Sequence, residues 1–148
     1  MKRTTIVEII SLFLLSLFLY AAISKVMDYT LFKEQLSDSP IMKPIAGLVA
    51  WLLPTVEFAV VLLLIVPRWR LKGLYASLGL LIVFTIYIVS MLAFSDHLPC
   101  SCGGLLEQLS WKQHVFFNAA CIALAYTAIR LEKRIAREYR SKLATTFG

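Results

Sequence analysis

Two cysteines separated by one residue are the part of this sequence best suited to chemistry. Cys100 and Cys102 lie in the segment HLPCSCGG, residues 97–104. A disulfide across a single intervening residue is strained, because its two Cα atoms must meet disulfide geometry over a very short stretch of chain. Strain makes a disulfide easier to reduce, which suits a transferable disulfide better than a structural one. The spacing therefore favours a redox pair.

The surroundings of the pair leave other interpretations open. A protonated His97 would favour the nucleophilic thiolate form, and the glycines at 103 and 104 would let another protein approach closely. The two thiolates with His97 or His114 could instead hold a soft metal ion such as copper, zinc or mercury. A structural zinc site needs four ligands, however, and the sequence has no second cysteine pair. A simple turn with two unreactive thiols is the third interpretation. We favour the redox pair and expect no metal.

A second polar group follows the cysteine segment. His114, Asn118 and Cys121 are spaced i, i+4 and i+7, so they share one face of a helix. Polar side chains of this kind often join helices by hydrogen bonds inside a membrane, and we expect that role for Asn118. Cys121 is expected to be a small buried apolar residue, with a redox role as the alternative.

Glu57 is an acidic residue inside a long apolar segment. It lies ten residues before Pro67, or about 15 Å along a helix, near the middle of a bilayer. An ionisable group at this depth marks a functional site or a partnered interior position. Its candidate roles are proton relay, hydrogen bonding to a quinone-like ligand, or pairing with another helix. Lys25 would have to reach inward to meet it, so a local pair of Lys25 with Asp28 is expected. Glu57→Gln is then expected to impair function and leave folding largely intact.

Composition indicates the elements that position these residues. Of the 148 residues, 59% are hydrophobic and 16% are charged, and the mean hydropathy is +0.78. Four apolar segments are long enough to cross a bilayer, at about 6–26, 45–67, 73–94 and 111–131. The sequence therefore predicts an all-α integral membrane protein, with residues 1–148 forming one four-helix bundle. Phe32 and Leu36 predict a short amphipathic helix in the first link.

The distribution of charge predicts the orientation of the bundle. Eleven of the fifteen lysines and arginines lie at the N-terminus, in the link between spans two and three, or after residue 129. The positive-inside rule places both termini in the cytoplasm and Cys100 and Cys102 on the outer face, where disulfides persist. The tail at 132–148 is expected to contact anionic lipid. This topology explains the net charge of +6 without nucleic acid as a partner.

Three motifs occur in an order that is similar to that of a known family. SKVMDYTLF follows the first span, PTVEF lies within the second, and PCSCGG lies between the third and fourth. Their order resembles the MauE/DoxX-like family of four-helix bacterial membrane proteins. The positions that match the family signature are Lys25, Asp28, Phe32, Pro54, Glu57, Cys100, Cys102 and Gly103.

The resemblance implies thiol–disulfide chemistry outside a bacterial inner membrane, beside a thioredoxin-like partner. One departure is that the family often has a glycine between the cysteines and an aromatic residue after them, where this chain has Ser101 and Gly103. A role in methylamine metabolism is therefore not carried over.

The expected function is disulfide exchange by Cys100 and Cys102 with an extracytoplasmic thioredoxin-like protein. A quinone is the one cofactor considered. The expected supporting residues are Lys25, Asp28, Glu57, His97, His114 and Cys121. The alternatives are a non-enzymatic subunit or scaffold of a larger membrane complex, and a soft-metal carrier.

Overall fold

Helices make up almost all of the described chain. The computed structural model describes residues 2–94 and 110–147, and these ranges contain no strand. Within these ranges, four helices are long and apolar enough to cross a membrane, which confirms the predicted all-α class with four such elements. The helices are α1 (Arg3–Met27), α2 (Tyr29–Asp38), α3 (Ala46–Ile65), α4 (Arg70–Phe94) and α5 (Trp111–Phe147), and a 3-10 turn at Lys43–Ile45 precedes α3.

The four long helices pack around a shared core. Helices α1 and α4 each contact both α3 and α5, so the four form a ring in cross-section. Buried apolar side chains from all four fill its centre, among them Leu14, Val60, Leu74 and Ala125. The end of the bundle that holds Met27, Ala46, Phe94 and Trp111 is called the upper end below.

The outward faces of the bundle are apolar as well. Leu12, Leu48, Val83 and Phe116 are each more than half exposed. Such surfaces are stable in a bilayer, because lipid tails are as apolar as the side chains they contact. The exposed apolar surface therefore agrees with lipid contact on all sides.

Helix α5 is longer than a bilayer requires. Its 37 residues span about 55 Å at 1.5 Å per residue, against a hydrocarbon core of about 30 Å. The part predicted as a tail, 132–148, is helical as far as Phe147, and Glu138 within it pairs with Arg3 at the start of α1. The basic segments of α1 and α5 thus share the lower end of the bundle. Which side of a membrane this end faces stays a prediction.

Helix α2 lies in the first link and packs against α3 at the upper end of the bundle. Phe32 and Leu36 are buried with Ala46 and Ala50 of α3. Just beyond α2, the buried Ser39 hydroxyl accepts a hydrogen bond from the Tyr87 hydroxyl of α4 at 3.1 Å. These contacts hold α2 against α3 and α4. Its predicted position at a membrane surface stays a prediction.

Gly73 allows α3 and α4 to approach closely. A Cβ there would lie 3.0 Å from the Leu63 carbonyl carbon and the Leu64 nitrogen, whereas one at Gly79 would meet no atom within 4 Å. We expect Gly73→Ala to lower the free energy of unfolding by about 1–3 kcal/mol, because backbone atoms must move. Gly79→Ala is the control and should leave it unchanged or raise it by up to about 1 kcal/mol. Thermal unfolding in detergent measures both, and equal effects would contradict the close approach.

Candidate functional site

A buried ion pair joins α1 to α3. The Nζ of Lys25 lies 3.0 Å from Oε1 of Glu57 and 3.3 Å from Oε2, and it donates a third hydrogen bond to the Ala21 carbonyl at 3.2 Å. The two side chains are only 2% and 1% exposed. An ammonium group has three N–H donors, and each here has an acceptor. The pair therefore satisfies the lysine completely inside the bundle.

The predicted local pair between Lys25 and Asp28 is wrong. That prediction assumed that the first helix continues through Asp28, but α1 ends at Met27 and Asp28 lies at the junction with α2, where it is exposed. It also assumed that a lysine near a helix end turns its ammonium outward to the membrane interface. Lys25 instead turns inward, so the cation that Glu57 needs at this depth comes from α1.

Two aromatic rings flank the ammonium of Lys25. Its Nζ lies 5.7 Å from the ring centroid of Phe32 on α2 and 5.9 Å from that of Phe84 on α4. Both distances are within the range of cation–π attraction. The ammonium thus contacts side chains from α2, α3 and α4, and this single cation links three helices to α1.

A partly enclosed cavity of about 70 Å³ lies beside the ion pair, between all four long helices. Four of the described residues that line it are polar or charged: Lys25, Glu57, His114 and Asn118. Aromatic side chains make up much of the remaining wall, namely Phe18, Phe84, Trp111 and Phe117. The volume is several times the space of about 10–15 Å³ that one water molecule requires. The cavity therefore has room for several waters or part of a flat ligand.

The start of α5 is fixed by a capping box, and this sets the register of His114 and Asn118. The Ser110 backbone N–H donates to Oε1 of Gln113 at 2.9 Å, and the Gln113 N–H donates to Oγ of Ser110 at 3.3 Å. His114 and Asn118 then follow on successive turns, and each is 7% exposed. Among the described residues, neither side chain has a hydrogen-bond partner. Asn118, expected to bond between helices, lines the cavity instead.

The comparison with protein families decides which family this chain represents. The model of the family described as "Methylamine utilisation protein MauE" matches residues 3–131, which include all of α1, α3 and α4 and the first 21 residues of α5. The chain belongs to the MauE family. It is accordingly a multi-pass membrane protein. No curated protein and no solved structure matches it.

The ion pair gives the signature positions of this MauE-family chain a physical meaning. Lys25 and Glu57 form the pair, Phe32 lies over its cation, and Pro54 is buried in α3 one turn before Glu57. Three of the eight matched positions thus meet at the ion pair, and two of these, Lys25 and Glu57, line the cavity. Phe84 joins them without any signal in the sequence, because a phenylalanine in an apolar run does not reveal which way it faces.

Cys121 is buried away from the cavity wall. It is 1% exposed and belongs to the apolar core with Leu14, Val60 and Ala125. It shares a helix face with His114 and Asn118, as its spacing predicts, but it is absent from the residues that line the cavity. The expected burial of Cys121 is thus confirmed, and its redox role stays the untested alternative.

Three predicted site residues lie outside the described residues: His97, Cys100 and Cys102. Within 2–94 and 110–147, no three His, Cys, Asp or Glu side chains gather as a metal ion would require. The metal alternative depends on the two cysteines, so this observation does not decide it. Phe94 and Ser110, which flank the cysteine segment, both lie at the upper end of the bundle.

Proposed function

We propose that this MauE-family protein is a membrane thiol–disulfide redox protein. Cys100 and Cys102 exchange a disulfide with an extracytoplasmic thioredoxin-like protein. One thiolate attacks a sulfur of the partner's disulfide and releases the other partner sulfur as a thiolate, forming a mixed disulfide. The second cysteine then attacks the mixed disulfide, so that a Cys100–Cys102 disulfide forms and the partner leaves as a dithiol. The reverse sequence transfers the disulfide to the partner.

The main support for this proposal is the connection of the cysteine segment to two helices that line the polar cavity. This segment connects α4 to α5, and the upper turns of these helices contribute Ile88 and Trp111 to the wall of the polar cavity. The cavity in turn contains the only buried ion pair among the described residues. A buried pair beside unpartnered polar side chains is costly for stability alone and is typical of a functional site. The sequence segment that carries the two thiols is therefore joined to two helices that line the cavity, which supports a link between them.

A bacterial inner membrane is the proposed location, with the upper end on the periplasmic side. The lower end carries Arg3, the turn before α4 with Arg68, and the basic half of α5, which fits a cytoplasmic face under the positive-inside rule. The basic half of α5 can also contact anionic lipid head groups. This orientation puts Cys100 and Cys102 in a compartment where disulfides form and persist.

Trapping of the mixed disulfide tests the exchange. Removing the resolving cysteine leaves the attacking one joined to its partner, so Cys100→Ser or Cys102→Ser should accumulate a covalent adduct with an extracytoplasmic protein. Non-reducing electrophoresis of membranes after acid quenching detects the adduct, and mass spectrometry identifies the partner. Cys121→Ser is the matched control, since that thiol is buried, and it should trap nothing.

The alternative functions give different results in the same cells. A scaffold subunit should keep assembling with its complex when both cysteines are replaced, and it should trap nothing. A soft-metal carrier should purify with metal that is lost in the Cys100→Ser/Cys102→Ser chain. Either outcome without an adduct contradicts the proposed exchange.

A further inference from the structure

Of the four polar or charged side chains described in the cavity wall, two are paired with each other and two have no hydrogen-bond partner among the described residues. Lys25 and Glu57 neutralise each other and share their hydrogen bonds. His114 and Asn118 are 93% buried and face the same cavity, but in the described ranges no protein group bonds to either side chain. A buried polar group without a partner costs free energy, so these two side chains call for a ligand or water.

The walls of the cavity restrict the shape and charge of that ligand. Phe84, Trp111 and Phe117 provide flat apolar surfaces, which suit a planar ring because aromatic groups prefer stacked or edge-to-face contacts. A charged ligand would compete with one member of the Lys25–Glu57 pair for the other, so a neutral ligand fits better. The ligand is therefore planar, neutral and equipped with polar atoms.

The position of the cavity restricts how the ligand reaches it. Glu57 lies eight residues from the lower end of α3, about 12 Å along the helix, so the cavity is within the apolar part of the bundle. It is bounded by helices whose outer faces contact lipid, and it is only partly enclosed. A ligand soluble in the bilayer can enter here more readily than one soluble only in water.

We propose that this cavity binds the head group of a lipid-soluble quinone, whose two ring oxygens are held by His114 and Asn118. The Asn118 amide donates to one oxygen and an N–H of the His114 imidazole donates to the other, so that both unpartnered side chains are satisfied. The aromatic walls contact the two faces of the ring. Binding depends on described residues alone.

The redox role of the quinone rests on the proposed thiol chemistry. The two thiols of Cys100 and Cys102 lose two electrons and two protons and form one S–S bond. The quinone takes up both electrons and both protons, and its two carbonyl oxygens become the hydroxyls of a quinol. With a quinone as acceptor, electrons flow from the partner's thiols through Cys100 and Cys102 into the membrane.

Fluorescence quenching tests binding directly. The chain has three tryptophans, of which Trp51 and Trp69 are exposed on the outer surface and Trp111 lines the cavity. In a Trp51→Phe/Trp69→Phe chain in detergent, a decyl-substituted benzoquinone should quench Trp111 in a saturable manner. A Trp69→Phe/Trp111→Phe chain, which keeps Trp51, reports quinone that has only partitioned into the micelle, and its quenching should not saturate.

Variants of α5 assign the binding to the two polar side chains. We expect His114→Leu and Asn118→Leu each to raise the Kd about tenfold, the usual effect of one hydrogen bond to a buried partner. Thr127→Val on the exposed face of α5 is the control and should bind as the parent does, because its hydroxyl bonds only to the Ala123 carbonyl of its own helix. An azido-quinone should also crosslink to the cavity walls of the parent chain, which requires no variant to fold.

The outcomes separate this inference from the proposed function. Quenching that fails to saturate at Trp111, or leucine variants that bind as tightly as the parent, would overturn the quinone site. A Cys100→Ser/Cys102→Ser chain should still bind the quinone, and loss of binding there would also overturn it. If the quinone binds saturably but the thiols of Cys100 and Cys102 never respond to redox state, the proposed disulfide exchange is contradicted and the quinone site is still supported.

Discussion

Lys25→Met and Glu57→Gln should each lower the free energy of unfolding by about 3–5 kcal/mol. Removing one member of a buried ion pair leaves the other charge without a partner in a medium that solvates it poorly. Both side chains are almost fully buried, and the ammonium also loses its role as the contact between α1 and α3. The effect should therefore be among the largest of any single substitution in this chain. Chemical or thermal unfolding in detergent measures it.

The double variant distinguishes a pair from two independent residues. In Lys25→Met/Glu57→Gln no uncompensated charge remains, so most of the loss should be recovered and the two effects should not add. The exposed Arg3–Glu138 pair is the matched control, because its side chains are 51% and 59% exposed. Breaking it should cost only about 0–1 kcal/mol. Single variants at Lys25 and Glu57 that behave like those at Arg3 and Glu138 would contradict the buried pair.

This prediction differs from the one that the sequence supports. With a local Lys25–Asp28 pair, Glu57→Gln should leave folding largely intact. The structure changes that expectation, because Glu57 is the countercharge of Lys25. Function should be tested in the double variant, whose fold is expected to recover. Lost thiol exchange in a stable double variant would place the charges in the site, whereas retained exchange would limit the pair to stability.

The helices could be predicted from the sequence because their signal is local. Four apolar runs of sufficient length predict four spans whatever their neighbours are. The shared face of His114, Asn118 and Cys121 follows from helical spacing alone, and all three residues are buried. That Glu57 is functional or paired could also be predicted, because placing a carboxylic acid at the centre of a membrane is unfavourable in free energy.

The pairing of Lys25 with Glu57 could not be predicted, because it depends on how far α1 and α3 are shifted along their axes relative to each other. Sequence spacing places Lys25 near the end of α1 and Glu57 well inside α3, and nothing local shows that their side chains meet. The break between α1 and α2 is decisive, since it turns Phe32 back over Lys25 and removes Asp28 from the face of α1. The one available signal was the rule that opposite charges buried in a membrane find each other.

The second large effect is expected at Cys100 and Cys102. Because only one residue separates them, their disulfide should be strained and readily reduced. We expect the pair to behave as a two-electron couple with a reduction potential above about −300 mV. Structural disulfides typically have potentials below this value. Replacing both with serine should abolish the couple completely. Serine differs from cysteine by one atom, and both positions lie between α4 and α5 in the sequence, so we expect the described helices to remain folded.

A redox titration of Cys100 and Cys102 measures the proposed thiol–disulfide couple itself. A Cys121→Ser chain keeps only Cys100 and Cys102 of the three cysteines. Membranes are equilibrated with glutathione or dithiothreitol buffers over a range of potentials, quenched with acid, and labelled with a maleimide that adds mass to each free thiol. Both labels should appear and disappear together at one midpoint potential, because the two thiols form one disulfide. Two thiols that label fully at every potential, or a pair that never labels, would contradict this prediction.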